Sequence, residues 1–369
     1  MNIVFLDNCA TTPLSPAAKQ AIIDNLDEFG NPSSVHSIGR RARVKIEEAR
    51  EKIAGIINAD PGEVLFTSGA TESNNWALRQ SWYDYQYISN IEHPSIYNLG
   101  FELDHIKVDK DGIIRDASRR PYSNLYNFLT SIMMVNNELG TINPIKELCE
   151  TVHKNWGKFH CDMTQAIPHI RVDIENLAVD TASFSAHKFN GPKGIGVLFE
   201  RQGYGIDPLI LGGAQEFDKR AGTENVLGII AMAVALEDTI VHMDETNEKI
   251  AYLSALLEEN ILNITGVYDN VLAPKSSRIP GVFNLRIDGC KGSDLVALAS
   301  ECGICISAGS ACSSGNSVPS YVLKAIGLTD DQALSSVRIS LGRFNTEQDV
   351  KYFCEMFPKI VGQLRFLGG

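Results

Sequence analysis

Short apolar runs alternate along this chain with longer segments in which apolar positions recur at helical spacing. Glu63 to Thr67 reads as a strand, and Ala70 to Trp82 as the helix that follows. Leu129 to Val135 predicts a mostly apolar strand, and Ile145 to Trp156 a helix. Further short strands are expected at Lys158 to Asp162, Thr181 to Ser185 and Gly196 to Phe199. This alternation implies an α/β sheet, largely parallel and covered on both faces. Ligands of such sheets gather at the carboxyl ends of the strands.

From Asn225 to Leu262 the periodicity predicts one long helical stretch, broken near Thr246. A new pattern then begins: a strand at Gly281 to Ile287, a helix at Gly292 to Cys302, a strand at Val337 to Leu341 and a helix at Glu347 to Leu364. These predict a smaller α/β domain, with the first dozen residues joining it or bridging the two. The expected division is a large domain over 14–250 and a small one formed by 1–13 and 251–369.

Composition narrows the class. The 369 residues are 44% hydrophobic and 21% charged, as in a globular protein of two ordinary domains. A formal net charge of −12 argues against direct grip on nucleic acid or on an anionic membrane surface. The most apolar helical run, Leu227 to Leu236, is about half the ~20 residues a bilayer span requires. The N-terminus lacks a basic, then apolar, secretory pattern, so a cytoplasmic protein is expected. Eight cysteines are too sparse for a disulfide framework. Cys302-Gly-Ile-Cys305 lacks a second pair or nearby histidines for zinc and reads as a helix end entering a buried strand. No metal site is expected.

Five segments carry candidate chemistry. In Ser183-Phe-Ser185-Ala-His187-Lys188 a strand ends in small polar residues and then a lysine. Pointed into a cleft and desolvated, Lys188 becomes a nucleophile toward an aldehyde, with Ser185 and His187 placed to bond a phosphate. Alone, the segment reads more readily as a surface lysine in a turn. Phe66 to Ser73 is a strand, a small-residue turn and a helix start, whose free N–H groups at Ala70 and Thr71 suit a phosphate. Asp162 ends another strand, where a buried carboxylate needs a cationic partner or serves as a helix cap. His93, before Pro94, can stack on an aromatic ring and move protons, or be a half-buried turn residue. Last, Cys312 sits in Ser307-Ala-Gly-Ser-Ala-Cys312-Ser-Ser-Gly-Asn316, a run with nothing to pack a core. A thiol there is expected on an exposed loop and available for chemistry.

The ordered set L-D-N-x-A-T-T, T-S-G-A-T-E-S-N-N, E-H-P, V-N-N-E-x-G, D-x-T-Q, S-F-S-A-H-K, R-A-G-T-E-N, S-A-G-S-A-C-S-S and V-R-I-S-L-G-R-F-N-T resembles the NifS/IscS-type cysteine desulfurases. These belong to the class V branch of fold-type I enzymes that use pyridoxal 5′-phosphate (PLP). The resemblance runs from Leu6 to about Arg365. It implies a large, mostly parallel seven-stranded sheet domain and a smaller α/β C-terminal domain. It implies PLP bound through Lys188, which also moves the substrate's Cα proton. Asp162 would pair with the pyridine nitrogen, Gln165 with the 3′-oxygen, and His93 with the ring face as acid/base. Ala70, Thr71, Ser185 and His187 match the phosphate site. Thr223 matches a threonine that reaches the phosphate from the other subunit of a homodimer. Asn136 and Arg338 match groups that hold the substrate carboxylate, and Cys312 matches the nucleophile that takes sulfur from L-cysteine as a persulfide, leaving alanine.

Some residues depart from the family's pattern. Ala214 and Asp218 replace glycines beside a cofactor-side turn, and Phe217 stands where a basic residue is common. Cys161 and Met163 flank Asp162 where Val and Ala are usual, and Met163 is bulkier than expected. The segments near Trp82–Gln86 and Asp116–Asn127 are compressed, and the C-terminal stretch after Phe366 is short against the IscS-like pattern. A specialised protein acceptor is therefore expected: an iron–sulfur scaffold, tRNA thiolation or DNA phosphorothioation, the last through a partner that holds the DNA. A selenocysteine lyase or other C–S lyase of the same fold is the alternative, against which the cysteine-bearing loop speaks. A non-catalytic adaptor would not keep Lys188, Asp162 and Cys312 together.

Overall fold

The computed structural model describes residues 3–80, 82–100, 103–118, 127–309 and 318–368. Its strands, in chain order, are β1 (Val4–Phe5), β2 (Val64–Thr67), β3 (Tyr85–Ser89), β4 (Asp104–Ile106), β5 (Phe128–Ser131), β6 (Lys158–Asp162), β7 (Thr181–Ser185), β8 (Gly196–Glu200), β9 (Val267–Asp269), β10 (Val282–Ile287), β11 (Ile304–Cys305) and β12 (Ser336–Ser340). Seven form one sheet in the order β2-β8-β7-β6-β5-β3-β4. The pairs β3–β4, β3–β5, β5–β6 and β6–β7 are parallel, and β8 runs antiparallel to both its neighbours. The mostly parallel seven-stranded sheet expected from the family resemblance is thus present.

Both faces of this sheet are buried, and the strand period of two sorts the side chains. Phe66, Phe128, Phe159 and Val197 enter one hydrophobic cluster, while Leu65, Leu129, Ile88 and Leu198 enter another on the opposite face. The second cluster is closed by the Ala70–Leu78 helix, whose Trp76 is fully buried and donates its indole N–H to Asp207 O at 2.7 Å. That helix stops four residues short of Trp82, because the Gln80 amide folds back to donate to Trp76 O at 2.7 Å and occupies the carbonyl the next turn would use.

The expected strand from Leu129 to Val135 is regular only to Ser131. Ile132 and Met134 still donate to the His160 and Asp162 carbonyls, but Met133 N turns away to the buried Glu92 carboxyl at 2.7 Å. The long helical stretch is two helices, Val226–Val241 and Met243–Ile261, bent by 66°. The break falls at His242, four residues before Thr246. No single described helix is long and apolar enough to cross a membrane.

A separate hydrophobic cluster gathers Leu253, Leu257, Leu285, Leu295, Val337, Phe353 and Phe357 under the antiparallel sheet β12-β10-β9. Val4 and Leu6 belong to it, and β1 pairs in parallel with β11. A few residues later the same segment reaches the large sheet's turn: Thr12 N donates to His187 O and Ser15 N to Asn190 O, each at 2.9 Å. The N-terminal segment therefore stitches the two clusters together beside Lys188. Cys302 caps the Gly292–Glu301 helix and Cys305 ends β11, as read from sequence, and both thiols are free.

Candidate active site

Parallel strands end on one edge of the sheet, and the side chains just past those ends converge. Asp162 is the last residue of β6 and Ser185 the last of β7, followed by a short 3₁₀ turn over Ala186–Lys188. The Ala70–Leu78 helix starts two residues after β2. Between them lies a cavity of about 460 Å³. Ala70, Thr71, His93, Asp162, Gln165, Ser185, His187, Lys188 and Arg338 all line it. Nine positions scattered over most of the chain are thereby brought to one place.

Lys188 donates from Nζ to Cys9 O at 2.6 Å and Ala10 O at 2.7 Å. Two carbonyls favour an ammonium, but burial acts more strongly and, with Arg338 nearby, lowers the amine to about 8. A lysine poised there is readily available as a neutral nucleophile. His187 is pushed down to about 4 by burial and by Lys188 and Lys193, so its ring stays neutral and bonds Thr11 Oγ1 at 3.1 Å.

Opposite Lys188, Asp162 accepts from Thr164 N at 2.9 Å and from Asn74 Nδ2 at 2.8 Å. Asn74 also donates to Ser95 Oγ at 2.9 Å, and Ser95 Oγ lies 2.8 Å from His93 Nδ1. Burial lowers the His93 pKa, with Asp162 opposing and Lys188 assisting. Met163 is fully buried in the hydrophobic core, so its bulk is absorbed there, away from the cavity lining.

The third wall suits an anion. The first bond inside the Ala70–Leu78 helix runs from Ser73 N to Gly69 O, which leaves the preceding N–H groups at the cavity unused by the helix. The cap, Gly69, has φ +150° and offers no side chain. A Cβ on Gly196 would stand 2.7 Å from Gly69 Cα, so glycine at 196 lets this turn lie close against β8.

Arg338, on β12, enters from the small cluster. It is 1% exposed, donates to Asp7 Oδ1 at 2.8 Å and Asn137 O at 3.0 Å, and its Nε has no partner. Asn136 is not brought to the cavity. Its amide is spent internally, donating to Ile91 O at 3.0 Å and accepting from Glu138 N and Leu139 N at 2.9 Å. The neighbouring Asn137 lines the cavity instead. Gln165 lines it while donating to Cys9 O at 2.8 Å. Thr223 is exposed and lines an adjoining hollow that shares Ser68 and Gly194 with the main cavity. Cys312 lies outside the described residues. Before it, the described chain runs to Gly309, and the backbone of Ser307 exchanges two hydrogen bonds with that of Arg338.

The residues present fit pyridoxal phosphate. Helix N–H groups with Thr71, Ser185 and His187 form an anion cradle, Lys188 offers an amine for the aldehyde, and Asp162 offers an acceptor for a pyridine N–H. Three residues escaped the sequence reading: Asn137 and Cys9, which line the cavity, and Asn74, which holds Asp162 from behind it. For the two asparagines the signal was a polar residue at a position that a sheet-covering helix or turn would fill with an apolar one; Cys9 stands at an open position of its motif and gave none. Near Phe217 the departures have a visible cost. Glu216, Phe217 and Asp218 take φ of 46°, 59° and 63°, a left-handed run held because Arg50 bonds Glu216 twice at 2.9 Å.

Comparison with known proteins agrees with this geometry. The aminotransferase class-V family matches residues 4–353. The cysteine desulfurase IscS of Dictyoglomus turgidum is 41% identical over 98% of this chain and 95% of its own. That of Methanosarcina thermophila is 39% identical over 98% and 93%. A NifS-like protein from Rickettsia africae superposes with a TM-score of 0.90 at 32% identity, covering 97% of this chain and 99% of the other. SspA, solved in complex with cysteine, gives 0.79 at 31% identity over 93% and 99%. With this cavity and these relatives, the chain belongs to the aminotransferase class-V family and, within it, to the cysteine desulfurases.

Proposed function

We propose that the protein binds pyridoxal phosphate in this cavity and removes sulfur from L-cysteine, giving L-alanine and a persulfide on Cys312. The observation that carries the reading is the convergence of Lys188, Asp162, the anion cradle and Arg338 on one cavity. When bound, pyridoxal phosphate supplies an electrophilic aldehyde and a sink for the electron pair released at the substrate's Cα. The rest falls to the chain's own residues. Lys188 holds the cofactor at Nζ and, once displaced by substrate, moves the Cα proton. Asp162 accepts the pyridine N–H and keeps that nitrogen protonated. Gln165 and His93 orient the ring. Arg338 takes the substrate carboxylate through its free Nε side, with Asn137 in place of Asn136 beside it.

Sulfur transfer balances without an added oxidant. The Cys312 thiolate attacks the substrate sulfur, an S–S bond forms and the Cβ–S bond breaks. The departing electron pair stays with the carbon skeleton, which takes up protons to become alanine, while Cys312 holds S–SH. A protein acceptor then receives that sulfur; iron–sulfur assembly, tRNA thiolation and DNA phosphorothioation are the candidate destinations. Thr223, exposed on the face beside the cavity, supports a homodimer in which it completes the partner's phosphate site. The proposed division into residues 14–250 and 1–13 with 251–369 rests on Val4 and Leu6 sharing a cluster with Leu285 and Phe353.

The test is peptide mapping after brief exposure to L-cysteine and alkylation. The reading expects the persulfide mass on the Cys312 peptide, and its loss in Cys312→Ala with the cofactor absorbance intact. Alanine and sulfide formed at full rate by Cys312→Ala would overturn the role.

A further inference from the structure

Asn74 is fully buried, and its one amide makes four hydrogen bonds. Nδ2 donates to Asp162 Oδ2 at 2.8 Å and to Ser95 Oγ at 2.9 Å. Oδ1 accepts from Ser183 Oγ and faces His160 Nε2 at 3.0 Å. As a carboxylate Asp162 only accepts, and Thr164 N donates to its other oxygen. The amide must therefore turn its nitrogen toward Asp162. His160 must then donate from Nε2 and accept at Nδ1 from the Thr181 hydroxyl, 2.9 Å away. That requires a neutral ring, and burial pushes His160 down to about 4.

The second branch runs to His93. The backbone N–H of Ser95, which can only donate, points at His93 Nδ1 at 3.1 Å. Ser95 Oγ is 2.8 Å from the same nitrogen. Because Asn74 already donates to that oxygen, the serine's own proton is free to go to Nδ1. Both donors thus meet the Nδ1 lone pair, and the ring proton resides on Nε2.

We propose that Asn74 is a positioning residue that sets the proton arrangement of the cavity: it orients Asp162 and, through Ser95, fixes His93 as the Nε2–H tautomer. His93 therefore meets the substrate first as a proton donor and becomes an acceptor at Nε2 only after giving that proton up. Two groups on separate elements, at the end of β6 and after β3, are held in step by one side chain of the Ala70–Leu78 helix. This rests on the reading that the cavity serves the cysteine reaction.

The experiment is ¹⁵N NMR of the purified protein with labelled histidine, His93 being assigned by its loss in His93→Gln. The expected result is a protonated Nε2 and a hydrogen-bonded, unprotonated Nδ1. In Ser95→Ala, Nδ1 shifts toward the value of an unbonded imine nitrogen, and Ser95→Thr restores it. Asn74→Ala produces part of the same shift and lowers kcat by about tenfold or more with a smaller change in KM. Should Asn74→Ala not fold, Ser95→Ala and Ser95→Thr carry the test alone. A proton on Nδ1 in the wild type, or a His93 signal unmoved by Ser95→Ala, would overturn the proposal. The NMR pattern is read without turnover. Its presence in a protein that forms no alanine would sink the reaction assignment and leave the positioning role standing.

Discussion

Two walls of the same cavity are built differently. On the sheet side, Asp162 is held by Thr164 N and, from behind the lining, by Asn74, which also donates to Ser95 Oγ. On the side of the small cluster, Arg338 is just as buried but keeps Nε unpaired, and Asn137 stands half-exposed on the lining. A carboxylate bonded in advance suits a resident group, because it needs no reorientation when that group binds. A buried donor left open suits a ligand that comes and goes, since each arrival relieves an unsatisfied group. On the proposed function, the first wall serves the cofactor and the second the exchanging amino acid.

The largest effect is expected at Lys188. Lys188→Ala should cost about 100- to 10,000-fold in kcat, the range of a lost proton-transfer group, while the protein still folds; turnover with circular dichroism checks both. Next comes the substrate wall. Arg338→Gln should raise the KM for cysteine by about 30-fold or more, the loss expected on removing one side of a buried charge-assisted contact, with the cofactor absorbance unchanged. A KM left at the wild-type value would erase the distinction between the walls.

A finer cut compares adjacent asparagines. Asn137→Ala should raise KM with little change in stability. Asn136→Ala strands the Glu138 and Leu139 N–H groups and should cost about 1–3 kcal/mol in thermal or urea unfolding with KM nearly unchanged. The smallest effect concerns Glu92, whose buried carboxyl is raised to about 8 by burial and by Asp162, against the bonds from Ser89 and Met133. The folded protein keeps a proton there that the unfolded chain releases near its ordinary value, so this group's contribution is full at low pH. It is lost progressively as pH rises toward 8. Glu92→Gln should flatten that decline in Tm between pH 5 and 8.

Much of this was legible in the chain. The strand ends carrying Asp162 and Ser185 could be read from apolar runs closed by polar residues, and the motif order singled out Lys188. The boundaries that moved did so for tertiary reasons: Gln80 stops a helix by reaching back to Trp76, and Glu92 takes the Met133 N–H out of a strand. Asn136 and Asn137 show the limit most plainly. Two identical neighbours face opposite environments, and only the turn's three-dimensional path decides which one meets the cavity. Asn74 was invisible for a similar reason, since its four partners come from three distant segments.

The most direct test of the account is to saturate the purified protein with pyridoxal phosphate, add L-cysteine and a thiol reductant, and measure alanine and sulfide together. The account predicts a yellow protein that forms the two in equal amounts. A fully loaded protein that consumes cysteine but yields pyruvate and ammonia in place of alanine would contradict it.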